Sequence, residues 1–375
     1  MIRLQSFINN AKKRAEDRPK PQGIGFANIK IIGTGGAGNN TVDRLMKIGI
    51  KGAKCIAVNT DHQHLEMVEA DSKILIGKNL TRGLGAGGDP KIGKAAAEED
   101  REALIKVLRE SDLVFITCGE GGGTGTGSAP IIAEIAKNED AIVVGVVSLP
   151  FESEVGRIEK AQNGLKRLRQ YVDTLVVIDN NRLLEIAPNL PIIEAFSVAD
   201  EVLATMVKGI TETISMPSLI NLDYADVRTI LGSGGVTIVG VGESSGNEHR
   251  VDKAISDALN SPLLDVDIQG AKGALIHICG GNDMTLAEAN SVASKISKKM
   301  DVRDSKVIWG ARVSDEFDGI LRVMLLITGI KSPQIFGKEE TDPEPDFEAD
   351  FEEEPDFKKE KIDLSNDLFN INEIN

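Results

Sequence analysis

Cysteine and histidine are scarce in this chain. Its 375 residues include 3 Cys and 4 His, and no two of them have the spacing of a paired motif. A disulfide framework needs several cysteines at suitable spacings, and a zinc site needs Cys or His ligands close together in the sequence. The sequence therefore predicts neither, and a reducing cytoplasm is the expected compartment.

Long apolar runs are also missing. The longest candidate, residues 141–151, falls well short of the roughly 20 residues that cross a bilayer and is typical of a buried strand. Five charged residues between Lys12 and Asp17 exclude a secretory signal. We therefore expect no transmembrane segment. Residues 1–22 are predicted to be an N-terminal extension, either loosely docked or a short amphipathic helix that touches a membrane surface or a partner.

A basic stripe of the kind that nucleic-acid binding needs is absent. The net charge is −15, and the segment from Glu339 to Phe357 holds eleven Asp or Glu residues and no Lys or Arg. The rest of the chain therefore carries −15 minus −11, or −4. We expect no nucleic acid among the partners of this protein.

Short β-rich runs and longer amphipathic runs alternate from Ile29 onwards. Apolar strands separated by helices indicate a parallel sheet that is covered on both faces, so the predicted fold class is α/β. We predict a doubly wound parallel-sheet domain at 23–200, a long central connecting helix at 192–217, and a smaller α/β second domain at 218–330. Individual helices are expected at 39–49, at 95–110, from Ser128 onwards, and from 192 to about 212.

The last part of the chain differs in composition from the rest. Residues 331–361 are rich in Glu, Asp and Pro and cannot bury enough apolar surface to fold alone, which predicts a flexible acidic linker. Residues 362–375 regain Leu, Ile and Phe. They are either a segment that folds on binding a partner or a tail without a role.

Glycine is abundant at particular places. The segment from Gly33 to Gly38 has the G-x-G-x-x-G spacing of a dinucleotide-binding turn, in which the backbone comes close to a pyrophosphate at a helix N-terminus. Asp61 closes the next strand, as that fingerprint also asks. Alone, these features favour an NAD-dependent oxidoreductase.

Two further glycine-rich segments favour another ligand. Residues Gly121–Gly127 contain five glycines and two threonines between a predicted strand and a predicted helix, which is typical of a nest of N–H donors for phosphate. Residues Gly83–Pro90 form a similar loop, which we expect at the same edge of the sheet. The P-loop pattern with its lysine is absent, so backbone donors and a Mg²⁺ ion are expected to neutralise the phosphates.

The sequence of Gly121–Gly127, GGGTGTG, resembles the signature of the FtsZ and tubulin superfamily. The resemblance extends in order through four other segments and covers the chain from about Asn28 to Ile330; those segments are Gly33–Asn40, Asn59–Asp61, Gly85–Pro90 and Asn221–Arg228. It implies a tubulin-like fold, with GTP and GDP as ligands. It also implies a GTP-hydrolysing, polymerising protein of the cytoplasmic cell-division ring, located near midcell.

The resemblance also implies roles for single residues. Those that would hold the phosphates are Gly35, Gly36, Asn39, Asn40, Ala86, Gly87, Gly122, Gly123, Thr124, Gly125, Thr126 and Gly127. Glu154 and Arg157 resemble a pair on the ribose side, Asn180 would contact base and ribose, and Phe196 would stack on guanine. Asp200 would read the base, because a carboxylate can accept from both N1–H and N2–H₂ of guanine, whereas adenine has an acceptor at N1.

The catalytic residues implied by the resemblance are Asn221, Asp223 and Asp226. Carboxylates three residues apart can orient a water molecule and help to hold a cation, although turn formation alone also explains such residues. The resemblance implies that this loop completes the active site of the next subunit in a head-to-tail homopolymer. The expected partners are thus further copies of this chain and a membrane-adaptor protein at 362–375.

Two other functions stay open at this point. An NAD-dependent oxidoreductase would use Gly33–Gly38 but has no use for Gly121–Gly127. A tubulin-like scaffold that shapes cells without dividing them would share the chemistry and differ in its biology.

Overall fold

The computed structural model describes residues 27–182, 191–215, 224–232, 236–246, 249–260, 271–300 and 306–330. The predictions for the N-terminal extension, the acidic linker and the C-terminal segment fall outside these residues. So do two of the three predicted catalytic residues, Asn221 and Asp223.

The described strands form a single ten-stranded, mostly parallel sheet. In chain order they are β1 (Ile29–Thr34), β2 (Ala53–Asn59), β3 (Ser72–Leu75), β4 (Leu113–Gly119), β5 (Ile142–Leu149), β6 (Thr174–Asp179), β7 (Val236–Ser245), β8 (Gly273–Gly280), β9 (Lys306–Val313) and β10 (Ile320–Ile330). Across the sheet the order is β3-β2-β1-β4-β5-β6-β7-β10-β8-β9. Strand β10 runs antiparallel to both of its neighbours, and the other neighbouring pairs are parallel.

Helices connect most of these strands. Those in the described residues are α1 (Gly35–Ile48), α2 (His62–Met67), α3 (Lys78–Thr81), α4 (Pro90–Glu99), α5 (Arg101–Leu108), α6 (Thr124–Asn138), α7 (Val155–Arg169), α8 (Ile192–Ser215), α9 (Tyr224–Leu231), α10 (Arg250–Leu259) and α11 (Leu286–Lys299). A short 3₁₀ helix spans Asp315–Phe317. None of these described helices combines the length and apolarity that a membrane span requires.

The first six strands have one apolar core on each face. Ile31 packs into a core with residues of α1 and α8, and the next residue, Ile32, packs into a second core with residues of α5 and α6. Successive side chains of a strand point to opposite faces, so both faces of β1 are buried. This confirms the predicted α/β fold with a doubly wound, largely parallel sheet.

The long helix α8 packs against the first six strands and also against the strands that follow them in the chain. Its residues Leu203, Val207 and Ile210 share a core with Leu275 of β8 and Leu326 of β10. The helix also packs against α1. The sequence suggested that this helix has no sheet of its own to cover, and its position over both sets of strands explains why it is apolar along its length.

The narrowest pairing in the described sheet lies between β6 and β7, where only Leu175↔Val236 and Val176↔Thr237 are in register. The sheet nevertheless continues through this point, so the described strands do not separate into two sheets. The division of the chain into two domains stays a prediction.

Three helices begin or end at residues other than those predicted. Helix α1 begins at Gly35, four residues before its predicted start, because β1 passes directly into a glycine-containing helical turn. Helix α6 begins at Thr124, also before its predicted start, because the end of the glycine-rich segment forms its first turn. The helix predicted at 95–110 is two helices that meet at Asp100, whose Oδ2 accepts a hydrogen bond from Gly77 N at 2.7 Å. A contact with a distant part of the chain therefore sets this break.

Helices α7 and α9 were not predicted. Helix α7 is polar along most of its length and buries Ala161, Gly164, Leu165 and Leu168, which leaves a weak apolar pattern. Helix α9 contains Asp226 in its first turn, so this residue lies on a helix, where the sequence suggested a loop.

Candidate nucleotide-binding site

Two of the three glycine-rich segments meet at the carboxyl edge of the parallel strands. Gly35 follows β1 with φ of +70°, and a Cβ atom at this position would lie 2.8 Å from Gly125 N. Only glycine fits both the left-handed backbone and this contact. Helices α1 and α6 thus begin side by side, and their unpaired N–H groups create a positive potential suited to phosphate.

The third segment packs against the second. A Cβ atom at Gly123 would lie 2.8 Å from Asp89 N and 2.9 Å from Ala86 Cβ. By contrast, Gly36 and Gly87 have no atom within 4 Å of such a Cβ. The structure therefore brings all three predicted segments together, and these two glycines leave open space at the surface of the cluster.

Threonine hydroxyls hold the Gly121–Gly127 segment in place. Thr124 Oγ1 lies 2.6 Å from Thr60 Oγ1, and Thr126 Oγ1 accepts from Gly121 N at 2.9 Å. The hydroxyls were predicted as additional donors for phosphate. Since they bond within the protein, the backbone N–H groups remain as the main donors.

The two asparagines of α1 differ in their surroundings. Asn39 is fully buried; in the amide orientation that satisfies both of its polar atoms, Nδ2 donates to Gly33 O at 2.8 Å and Oδ1 accepts from Asn59 Nδ2 at 2.9 Å. Its side chain therefore fixes the turn after β1. Asn40 is exposed and is the one whose side chain can reach a ligand.

Glu154 and Arg157 lie beside the phosphate loops at the start of α7. Arg157 Nη1 pairs with Glu154 Oε2 at 2.7 Å. A Cβ atom at Gly121 would lie 2.8 Å from Arg157 Cβ, so the glycine allows this helix to approach the loop. The pair is thus placed next to the site, and its charges neutralise each other.

Asp200 lies where α8 packs against α1. Arg44 of α1 forms an ion pair with Glu201, and Asn40 lies one helical turn before Arg44 on the same face. Asn40 and Asp200 therefore lie near the same contact between α1 and α8. Burial raises the pKa of Asp200 to about 7, although Arg44 opposes the shift. A partner that offers N–H donors would favour the ionised form of this carboxyl.

Asn180 follows β6 and has an unsatisfied atom. Its side chain is 8% exposed, and Oδ1 has no hydrogen-bond partner among the described residues. A buried acceptor without a donor is costly and is usually satisfied by a ligand or water. Phe196 lies on α8, one helical turn before Asp200, and its stacking on guanine stays a prediction.

Asp61 does not serve the role that an NAD-binding fingerprint would give it. Its Oδ1 accepts from His64 N at 3.1 Å and caps α2. The sequence match at this position has a local structural explanation.

Asp226 lies near the amino ends of the parallel strands, whereas the glycine-rich segments lie at their carboxyl ends. Tyr224, two residues earlier, donates from Oη to Asp112 O at 2.6 Å, just before β4 begins. At the other end of α9, Leu231 O accepts from Thr174 Oγ1 at 2.7 Å, at the start of β6. Helix α9 therefore packs at the amino edge of the parallel strands, whereas the phosphate loops lie at the carboxyl edge.

Sequence reasoning missed Glu120, a buried carboxyl between β4 and Gly121. A charged residue next to a glycine-rich loop usually lies in solvent, and the packing that buries it comes from α7. Thr60 appears in the sequence analysis only as part of a motif. Its hydrogen bond to Thr124 could not be predicted, because the two residues are far apart in the chain.

Two family models match this chain. The model of the Tubulin/FtsZ family GTPase domain matches residues 28–188, and that of the FtsZ family C-terminal domain matches residues 235–331. The chain is 55% identical over 339 residues to cell division protein FtsZ 2 of Methanocaldococcus jannaschii, which covers 90% of this chain and 89% of that protein. It is 51% identical to cell division protein FtsZ 2 of Haloferax volcanii, over 89% and 85%.

The fold has the same relatives. A solved structure described as an empty FtsZ dimer from M. jannaschii superposes with a TM-score of 0.77 at 52% identity, covering 86% of this chain and 92% of that one. The fold and the nucleotide site define a tubulin-like GTPase. The chain belongs to the FtsZ family of cell division proteins. The alternative of an NAD-dependent oxidoreductase is not supported.

Proposed function

We propose that this protein hydrolyses GTP at a head-to-tail contact, where Asp226 of one subunit completes the phosphate site of the next. The observation that carries the proposal is the placement of Asp226 and the glycine-rich loops at opposite edges of one sheet. Asn221 and Asp223, which precede α9 in the sequence, are assigned to the same catalytic segment.

The separation of the two edges supports a site that is shared between two subunits. Tyr224 bonds to the residue before β4, and the phosphate loop begins after Gly119, at the other end of that strand. A strand of this length spans roughly 20 Å. The Asp226 carboxylate therefore cannot reach a γ-phosphate held by the loops of its own subunit, but a translated copy of the chain could bring it there.

A contact between opposite edges uses two different surfaces of the molecule. Such a heterologous contact propagates into a filament unless its rotation closes a ring. The carboxyl edge carries exposed apolar side chains after β3 and β5, with Leu84 81% and Val155 74% exposed. Burial of these side chains against the next subunit would favour assembly. The similarity to a protein whose structure is described as an FtsZ dimer supports self-association of this chain.

Binding of GTP is assigned to the residues of the site. Gly35, Gly36, Asn39, Asn40, Ala86, Gly87 and Gly122–Gly127 hold the phosphates, with the unpaired N–H groups at the starts of α1 and α6 as the main donors. Glu154, Arg157 and Asn180 surround the ribose and base, Phe196 stacks on guanine, and Asp200 accepts from N1–H and N2–H₂. The unsatisfied Asn180 Oδ1 and the buried carboxyl of Asp200 both fit donors of the nucleoside.

Mg²⁺ would neutralise part of the phosphate charge when bound with GTP. The described residues contain no group of three His, Cys, Asp or Glu side chains that could hold a metal. Nucleotide oxygens and water are therefore proposed as its main ligands, as is usual for this ion. Asp226 would orient the attacking water and accept its proton.

In the cell, the filament is proposed to form the cytoplasmic ring at the division site near midcell. Residues 331–361 would act as a flexible linker that joins the two predicted domains to residues 362–375. Residues 362–375 would bind a membrane-adaptor protein. This arrangement gives the filament reach from an anchored point.

The experiment that tests the shared site measures GTP turnover against protein concentration, with light scattering recorded in parallel. We expect turnover per molecule to rise steeply with concentration for the wild type. Asp226→Ala should bind GTP and assemble but lose at least about tenfold in turnover, since general-base catalysis contributes 10²–10⁴-fold in enzymes. Asp257→Ala, which removes an exposed carboxylate from α10, is the matched control.

Turnover per molecule that does not depend on concentration would contradict the shared site. Full activity of Asp226→Ala would show that Asp226 serves only the first turn of α9.

A further inference from the structure

A buried carboxyl lies directly behind the phosphate loop. Glu120 connects β4 to Gly121 and is 4% exposed. Its backbone N donates to Ser148 O of β5 at 2.9 Å, which fixes the main chain at the edge of the sheet. The side chain therefore cannot turn to solvent without moving the loop that follows it.

The surroundings of this carboxyl are small and mostly apolar. Its Oε1 lies 3.7 Å from Cys118 Sγ, and Oε2 has no hydrogen-bond partner among the described residues. A Cβ atom at Gly164 of α7 would lie 2.2 Å from Oε2 and 2.5 Å from Thr126 Cγ2. Glu120 is thus enclosed between helix α7 and the threonine that bonds to Gly121.

Two cations of α7 that lie beside the phosphate loops are directed elsewhere. Arg157 pairs with Glu154 at 2.7 Å, and Lys160 Nζ donates to Gly88 O at 2.7 Å. Burial raises the pKa of Glu120 to about 7, and hydrogen bonding from Thr126 and Cys118 offsets part of the effect. The neutral acid is therefore favoured in the folded protein below neutral pH.

Ionisation would disturb the loop, because an enclosed carboxylate needs donors. The hydroxyl of Thr126 accepts from Gly121 N and has a single hydrogen to donate. Beyond Thr126 and Cys118, additional donors would come from the N–H groups of the loop itself or from water that enters after α7 moves. Either change would remove donors from the phosphates, and the new charge would repel them.

We propose that Glu120 is a positioning residue that keeps the Gly121–Gly127 loop in its GTP-binding form only as the neutral acid. The inference rests on the proposed assignment of this loop to the phosphates. The further requirement is that Glu120 carries a proton when GTP is bound, either by keeping the proton or by taking one up.

The direction of the pH dependence follows from linkage. The neutral acid binds GTP and the ionised form does not, so bound GTP raises the pKa of Glu120 further. Affinity is then constant below about pH 7 and falls by about tenfold for each pH unit above it. The Michaelis constant for GTP should rise with pH in the same way, whereas turnover at saturating GTP should not follow this ionisation.

The experiment measures the dissociation constant of GTP from pH 6 to pH 8.5 for the wild type and for Glu120→Gln, which keeps the shape and removes the titration. Asp200 and the nucleotide itself also titrate in this range, but both are common to the two proteins. The expected ratio of the wild-type constant to that of the variant rises at least tenfold between pH 6 and pH 8.5. Glu120→Met, of similar length, replaces the glutamine variant if the latter does not fold.

Two other outcomes would contradict different parts of the proposal. If the ratio stays constant across this range, the inference about Glu120 is wrong. If neither protein binds GTP at any pH, the assignment of the loop to the phosphates fails first. Proton uptake on binding, measured by calorimetry in two buffers of different ionisation enthalpy at pH 7.5, should be larger for the wild type than for the variant. Equal uptake would also overturn the inference.

Discussion

At the scale of single residues, Asp200 is the side chain with the clearest test of base recognition. Its carboxyl lies where α8 packs against α1, and burial raises its pKa to about 7. Guanine offers it two N–H donors, and hydrogen bonds to a charged acceptor are each worth about 1.5–3 kcal/mol. We expect Asp200→Ala to lower the preference for GTP over ATP by roughly 10²-fold in competitive binding.

The matched control for this variant is Glu201→Ala, the next residue on the same helix, which pairs with Arg44. It should weaken the contact between α8 and α1 without changing the preference between the bases. An Asp200→Ala protein with wild-type preference would show that the guanine edge is read elsewhere.

The sequence predicts some of these residues much better than others. Glycines such as Gly35 and Gly123 are predictable because the requirement for a tight backbone is local and is visible as a cluster in the sequence. Burial of Glu120 and enclosure of Asn39 depend on α7 and β2, which approach from elsewhere in the chain. The local sequence next to the glycines is the same whether such a carboxylate or amide faces solvent or packs against a helix.

At the scale of elements, the packing of α4 against α6 links helix geometry to the phosphate loop. A Cβ atom at Gly93 of α4 would lie 2.2 Å from Gly123 O, a distance that no real contact tolerates. Gly93→Ala should therefore push α4 away from the loop, although alanine is the better helix former. We expect a loss of about 1–3 kcal/mol in the free energy of unfolding and weaker GTP binding.

Gly156→Ala is the control, because this glycine of α7 has no atom within 4 Å of an added Cβ. There the same substitution should stabilise the protein by roughly 0.5–1 kcal/mol. Urea unfolding and nucleotide titration of both variants give the comparison. A Gly93→Ala protein that is stabilised to the same extent as Gly156→Ala would mean that α4 moves freely relative to the loop.

The order and type of most elements could be predicted from apolar runs, but several helix ends could not. Glycine disfavours helix by about 1 kcal/mol relative to alanine, which is why Gly35 and Thr124–Gly127 suggested loops. In the fold these residues form first turns, since close packing against neighbouring backbone leaves no room for side chains. The break at Asp100 depends on a bond to Gly77, 23 residues away in the chain.

At the scale of the whole molecule, the arrangement of the sheet separates the two halves of the proposed active site. The glycine-rich loops lie at one edge of the parallel strands and Asp226 at the other, so each subunit alone is incomplete under the proposed mechanism. Exposed Leu84 and Val155 at the loop edge leave apolar surface that a second copy would cover. The resemblance implied this division of the site, and the position of α9 gives it a physical reason within this chain.

Complementation between two inactive variants distinguishes a shared site from a self-contained one. Asp226→Ala keeps the loops and lacks the carboxylate. Gly36→Glu keeps Asp226, and its new side chain has room, since nothing lies within 4 Å of a Cβ there. The added negative charge at the start of α1 should prevent binding of the phosphates without disturbing the fold.

Each variant alone should hydrolyse little GTP. In an equimolar mixture, GTP held by an Asp226→Ala subunit can meet the intact carboxylate of a Gly36→Glu subunit. Random assembly makes roughly a quarter of the head-to-tail contacts productive, so turnover should recover to at most that share of the wild-type value. Each variant lacks one of the two parts, so no single subunit in the mixture has both a working loop and the carboxylate. Recovery above the sum of the separate activities therefore requires a site built from two copies. Turnover equal to that sum would mean that the catalytic carboxylate belongs to the same subunit that binds the nucleotide.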